Sequence, residues 1–250
     1  MFRPRIIPVL LLKDRVLVKS IQFSHHRYIG DPINAVSIFN DLKADELIFL
    51  DIEASKNNRL ISLDFVKNVG EEARMPFGVG GGVRSIDDIR AIINAGAEKV
   101  VINTYAGQNP DFIREASETF GSTTIVVCID VKKTFNDDQT WILNGSLSTG
   151  YTPLEFAQLM EKNGAGELVI QSIEKDGTME GYDIDLIRSI TSVVGVPVVA
   201  LGGAGNKEHL TDAYREGHAN GLAAGSLFVY QSKKRGVLIN YPEKNELTFG

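Results

Sequence analysis

Short runs of β-branched and other apolar residues alternate along the chain with longer stretches whose apolar positions recur every three or four residues. Eight runs read as strands: 5–11, 46–52, 76–79, 99–102, 124–130, 167–172, 197–201 and 220–223. Between them, 85–95 places Ile86, Ile89, Ile92 and Ile93 on one helical face, and 153–163 does the same with Leu154, Ala157, Leu159 and Met160. Boundaries agree with this reading. Asn109-Pro110 and Thr152-Pro153 set a capping residue ahead of a proline at the first helical position, while Gly96 and Gly164 close helices. Eight strand–helix units in 250 residues predict a (β/α)8 barrel. A doubly wound open sheet is the alternative, because the count alone does not demand closure.

An internal repeat favours closure. At an offset of 121, Ala44-Asp45-Glu46-Leu47 falls on Ala165-Gly166-Glu167-Leu168, Ile52-Glu53 on Ile173-Glu174, and Gly81-Gly82 on Gly202-Gly203. Near the start the shift is slightly smaller, and Leu10-Leu11-Leu12-Lys13 lies over Ile129-Asp130-Val131-Lys132. A four-strand unit that cannot bury its own sheet faces is the expected precursor of an eight-strand barrel with internal two-fold symmetry. The chain reads as a single barrel over 1–242 with an excursion at 134–141 after the fifth strand and a C-terminal tail, 243–250.

Composition narrows the function. Apolar residues make up 43%, and 26 Lys+Arg against 32 Asp+Glu leave a net charge of −6 with no long basic run, which argues against nucleic acid as a partner. The single cysteine, Cys128, excludes an internal disulfide and a multi-cysteine metal site, and fits the reducing cytosol. The early apolar stretch Ile6 to Leu12 is too short for a membrane span and lacks a signal-peptide cleavage site, so a cytoplasmic protein is expected.

In a (β/α)8 barrel the chemistry sits in loops after the carboxyl ends of the strands. Four clusters lie there: Gly80-Gly81-Gly82, Asn103-Thr104, Gly202-Gly203 and Ala224-Gly225-Ser226. Glycines let backbone N–H groups close around an anion at a helix start. Because the first two clusters repeat as the last two, two phosphate cradles are expected to face each other across the mouth; tight βα turns would account for the same glycines. Among acids at strand ends, Asp51, Asp130 and Asp176, the best acid–base candidate is Asp130, which follows the apolar run Ile125 to Ile129 and whose pKa apolar walls would raise. A turn cap or a pair with Lys132 is its structural alternative. Its counterpart in the first half is Leu11. Lys19 and Arg27, in the long loop after the first strand, could close over an anion. His25-His26 share that loop, but His209 and His218 lack ligand spacing, so no metal is expected. Cys128 reads as a small buried hydrophobe. Finally, Arg5, Glu46, Lys99 and Glu167 open four of the strands with alternating charge and could close an ionic ring at the barrel bottom.

The combination Arg5-Ile6-Ile7-Pro8, Gly30-Asp31-Pro32, Asp45-Glu46-Leu47, Gly80-Gly81-Gly82-Val83-Arg84, Asp176-Gly177-Thr178, Gly181-Tyr182-Asp183 and Gly202-Gly203-Ala204-Gly205 resembles the cyclase subunit family of imidazole glycerol phosphate synthase over roughly residues 1 to 230. The resemblance implies a TIM barrel of the ribulose-phosphate-binding type and a lyase of histidine biosynthesis. It implies a heterodimer with a glutaminase (glutamine amidotransferase) docked at the barrel bottom. Ammonia from that partner would pass through the barrel to a doubly phosphorylated ribonucleotide. No cofactor is implied.

Carried over by position, Gly82, Asn103 and Thr104 would hold one phosphate and Gly203 and Ser226 the other. Lys19, Asp51, Asp176 and Gly177 complete the substrate-binding candidates, Asp130 is the catalytic acid–base, and Arg5, Glu46, Lys99 and Glu167 form the ammonia gate. The sister isomerase of the pathway has no ammonia to admit, so the gate argues for the cyclase side. Four positions depart from the family: Leu11 stands where its second catalytic aspartate is expected, Gln171 replaces a small hydroxyl residue, Leu201 replaces a serine, and Gly225 looks inserted. Loss of a positioned acid–base costs about 10²- to 10⁴-fold in rate. The pattern resembles a divergent branch that spends ammonia on an acetamido sugar nucleotide for surface polysaccharide such as lipopolysaccharide, giving an acetamidino group. A catalytically silent barrel that activates its glutaminase is the alternative from another class.

Overall fold

The computed structural model describes residues 3–135, 137–231, 236–243, 246, 247 and 249. Eight parallel strands form its centre: β1 (Arg5–Lys13), β2 (Leu47–Asp51), β3 (Phe77–Gly80), β4 (Lys99–Ile102), β5 (Ile125–Lys133), β6 (Glu167–Ser172), β7 (Val198–Leu201) and β8 (Gly221–Ala224). Each pairs with the next, and β8 pairs with β1 through Arg5↔Gly221 to Pro8↔Ala224, so the sheet closes on itself. This settles the choice in favour of the (β/α)8 barrel over the open sheet.

Strand periodicity divides the core into two shells. Residues facing outward, such as Ile6, Leu10, Val127 and Leu168, pack with the surrounding helices in one large cluster. Those facing inward, including Ile7, Val9, Val126, Cys128 and Val169, form a second, smaller cluster on the axis. A residue and its neighbour two positions on share a face, so the inward row continues downward to Arg5 and Glu167 and upward to Leu11 and Asp130.

Predicted helices 85–95 and 153–163 appear as Ile86–Asn94 and Pro153–Lys162, the latter with a full capping box between Thr152 and Glu155. Gly96 and Gly164 follow helix ends at φ +113° and +91°. Asn109 does not start a helix. Its N–H bonds Tyr105 O at the end of a short helix Thr104–Gln108, and the long helix begins later, at Phe112–Phe120.

Two hairpins escaped the strand pattern. β1 turns back through Val16–Ile21 and Ser24–Gly30, and β5 through Asp138–Ile142 and Leu147–Ser148, each pairing antiparallel to the end of its barrel strand. The segments expected as a long loop and an excursion are therefore sheet extensions, one per half-barrel. In the tail, Leu247 is buried and the Phe249 ring lies 5.2 Å from that of Tyr214. No helix of the described residues is long and apolar enough to cross a membrane.

Candidate active site

At the bottom of the barrel, Arg5 is hydrogen-bonded to both Glu46 and Glu167. Lys99 Nζ closes the circuit at 2.9 Å from Glu46 and 3.2 Å from Glu167. The four expected charges thus form one ring. Glu46 and Glu167 have almost no exposure, and each has both cations as partners, which offsets the cost of burying a carboxylate.

The opposite end of the axis opens into a cavity lined by Leu11, Lys19, Asp51, Gly82, Asn103, Thr104, Asp130, Asp176, Gly177, Gly203 and Ser226 among others. Apart from Arg27, the residues expected to bind substrate or act on it all line this one mouth. Its least polar wall is made by Leu11, Leu50, Val101 and Leu201.

Asp130 ends the inward row of β5, directly above Cys128, and is only 7% exposed. Burial drives its carboxyl up to about 7; the Cys128 thiol, donating to Oδ1 at 3.5 Å, pulls it back, and the charge of Asp176 adds to the rise. Asp130 does not pair with Lys132, whose ammonium lies over the Trp141 ring. Burial and Asp130 together hold the Cys128 thiol well above its usual range, so it stays a thiol that donates a hydrogen bond to the carboxylate.

The register identifies Leu11 as the true counterpart of Asp130. Leu11 pairs with Leu50 across β1–β2, and Asp130 pairs with Gln171 across β5–β6. Residues 50 and 171 are 121 apart, the repeat offset, so the two halves place a leucine and an aspartate at one level.

The other acids are committed to loops. Asp51 holds Arg59 through two contacts of 2.5 and 3.2 Å and accepts the Glu53 and Ala54 N–H groups. Asp176 accepts from Ser20 Oγ at 2.7 Å and from Phe23 N–H at 3.2 Å, which ties the first hairpin to the loop after β6. Gly177, at φ +69°, belongs to the same junction, since a Cβ there would lie 2.1 Å from Ser20 O. Arg59 and Ser20 went unnoticed in the sequence; neither sits at a strand end, where functional residues were sought.

Close backbone approach explains the paired glycines. A Cβ at Gly82 would fall 1.8 Å from Arg59 O, and one at Gly203 would fall 2.1 Å from Gly181 O; both have positive φ. The turns therefore need glycine whether or not an anion binds. Beside them, short helices begin at Thr104 and Ser226, both in the lining of the mouth, and neither has a side-chain cap for its first N–H groups. Asn103 Nδ2 bonds Cys128 O at 3.0 Å.

The first hairpin separates residues expected to act together. Lys19 is 5% exposed, inside the mouth, whereas Arg27 and His25 face solvent. His26 lines the cavity rim. His209 accepts the Gly205 N–H at 3.1 Å, a local structural contact. Among the described residues no cluster of His, Cys, Asp or Glu is placed to hold a metal.

The chain is a closed (β/α)8 barrel with an ionic ring at one end of its axis and a polar, carboxylate-bearing mouth at the other, the end where barrels of this class carry their sites. The model of the histidine biosynthesis protein family matches residues 5–234, and the chain belongs to that family. A Leptospira borgpetersenii protein is 44% identical over 244 residues, 97% of this chain and 96% of its own; it carries the provisional name imidazole glycerol phosphate synthase subunit HisF. A Pseudomonas aeruginosa protein, provisionally named subunit hisF2 of the same enzyme, is 43% identical over the whole of both chains. A Leptospira interrogans relative with the HisF name is 40% identical over 98% of each.

Proposed function

We propose that this barrel is an ammonia-consuming synthase subunit of the imidazole glycerol phosphate synthase cyclase type, served by a glutaminase at its ionic end. The observation that carries this is the closed ring of Arg5, Glu46, Lys99 and Glu167 beneath an axis that ends at Asp130. A barrel that worked only on what enters its mouth would have no use for four charges at the far end, where apolar filling is cheaper. Ammonia admitted there travels upward and meets a substrate whose phosphates rest on the helix starts at Thr104 and Ser226. Asp130, poised near neutrality, takes a proton from the attacking nitrogen and returns one to the leaving group.

One feature of the mouth favours a second acceptor. Leu11 and Leu201 leave one free acid–base and an apolar wall. That suits ammonia-dependent amidination of an acetamido sugar nucleotide, the reaction of the divergent branch, better than the usual ribonucleotide.

Turnover of the bisphosphorylated ribonucleotide and of an acetamido sugar nucleotide, each with ammonium salts, tests both readings. Thr104→Ala and Ser226→Ala should each weaken binding of the true acceptor about tenfold or more, by removing a contact to a charged group. Binding of neither acceptor, together with stimulation of a glutaminase by the barrel, would replace the enzyme by a docking scaffold.

A further inference from the structure

Gly225 has the backbone of an ordinary residue: φ is −104° and ψ −67°. Conformation does not call for glycine there. Space does, because a Cβ at 225 would fall 2.1 Å from Lys19 Nζ and 3.0 Å from Lys19 Cε, with Val9 O next at 3.3 Å. Unlike Gly82 and Gly203, whose Cβ would strike backbone, Gly225 keeps room for one ammonium group.

The repeat shows what that group replaces. In the first half, β4 ends at Ile102, Asn103 follows, and a helix starts at Thr104; in the second, β8 ends at Ala224, Gly225 follows, and a helix starts at Ser226. Asn103 has φ −122° and ψ −74°, close to the torsions of Gly225. Its amide donates to Cys128 O at 3.0 Å, and Lys19 Nζ donates to Val9 O at 2.5 Å. Val9 and Cys128 are themselves repeat partners, in the same alignment that pairs Leu11 with Asp130. The Lys19 ammonium therefore stands in the second cradle where an amide stands in the first.

Among the described residues the bond to Val9 O is the one hydrogen bond the Lys19 ammonium makes, so a buried group with three donors keeps two to offer. Asp176 from the loop after β6, Asp130 from β5, His26 from the returning hairpin strand and Asp51 at the end of β2, which is paired with Arg59, line the same mouth. Arg27, opposite Lys19 in the hairpin register, is exposed and does not line the mouth.

We propose that Gly225 is a positioning residue: it seats the Lys19 ammonium at the end of β8, where the ammonium is the cationic partner of the anionic group held at Ser226. The anion half of this statement rests on the phosphate reading above; the seat does not.

Titration of the lysine side chains by NMR, with Lys19 assigned through Lys19→Met, tests the seat. Burial lowers Lys19 to about 8, against the upward pull of Asp176, and Gly225→Ala or Gly225→Asn should evict the ammonium and return its titration to the ordinary lysine range. Binding of inorganic phosphate tests the role. Wild-type affinity should fall roughly tenfold or more between pH 7 and pH 9. Lys19→Met and Gly225→Ala should each be weak and lose the fall centred near pH 8, keeping only the change near pH 7 as Asp130 and the phosphate ionise, and the double variant should be no weaker than either. Should Gly225→Ala fail to fold, Lys19→Met/Gly225→Ala, which lacks the clash, carries the comparison. An ordinary Lys19 titration in the wild type, or phosphate binding unchanged in Gly225→Ala and Lys19→Met, overturns the inference. A wild type with the lowered Lys19 titration that binds no phosphate at either pH would refute the phosphate reading and the anion role with it, while leaving the seat in place.

Discussion

Asp130→Asn separates the energetics of the mouth from its chemistry. The folded protein holds this carboxyl at about 7 against an ordinary 3.8. The native state therefore binds the proton more tightly than the unfolded chain, and the wild type loses stability as pH rises from about 4 to about 7. Three units at about 1.4 kcal/mol each put the ionisation penalty at about 4 kcal/mol above that window. Asparagine keeps the shape, still accepts the Cys128 thiol, and has no charge to bury. Denaturant unfolding of both proteins at several pH values between 4 and 7.5 should show curves that diverge in favour of the variant as pH rises, by up to about 4 kcal/mol. Stopping at pH 7.5 keeps Lys19 largely protonated in both, and the ring at the barrel bottom contributes equally to each. Turnover should meanwhile fall by about 10²- to 10⁴-fold. Parallel stability curves would refute the buried-carboxyl argument, and a variant that turned over normally would remove Asp130 from the chemistry.

Two further predictions test the axis. Leu11→Asp restores a carboxylate opposite Asp130 and should raise ammonium-driven turnover of the usual ribonucleotide by about 10²- to 10⁴-fold; high activity of the unmodified protein on that substrate would contradict the argument from the missing acid. Arg5→Met leaves Glu46 and Glu167 facing Lys99 alone and should cost about 3 kcal/mol in unfolding experiments. The same variant should impair turnover driven by glutamine and the partner more than turnover driven by ammonium salts, and equal impairment would deny the ring a gating role.

Much of this was legible because a parallel barrel writes itself in period two. Eight apolar runs mark the strands, and the charges at Arg5, Glu46, Lys99 and Glu167 all carry inward parity, so closure of the sheet alone brings them together. The hairpins were illegible for a physical reason. Val16–Ile21 and Asp138–Ile142 are short, partly polar extensions held by register to the ends of β1 and β5. The first bends at Asp14-Arg15 and again at Gln22-Phe23, all at positive φ and neither an Asn-Gly pair; the second turns through Asn144-Gly145, a hairpin signal between strands too short and polar to stand out. With the hairpin hidden, Lys19 and Arg27 looked like loop partners; they are register partners across the hairpin, and only burial shows that Lys19 is enclosed while Arg27 is exposed. Gly82 and Gly225 also read alike in the sequence, although backbone crowds the first and a side chain the second. Asn109 misled because proline following a capping residue is equally suited to a turn.

The mouth's asymmetry has a consequence for its pH dependence. The first half lost its carboxylate at Leu11, yet the carbonyl two residues earlier, Val9 O, holds an ammonium that burial brings to about 8. The second half keeps Asp130 at about 7. A proton passed from one to the other moves between groups about one unit apart, which costs about 1.4 kcal/mol. A relay through Lys19 is thus close to balanced where a relay through two acids is absent. The ammonium-driven rate at fixed free ammonia should then rise through about pH 7 as Asp130 ionises and fall through about pH 8 as Lys19 loses its proton. Lys19→Met should keep the acid limb and lose the alkaline one. An alkaline limb that survives in Lys19→Met assigns that ionisation elsewhere and leaves Asp130 as the only proton carrier among these two.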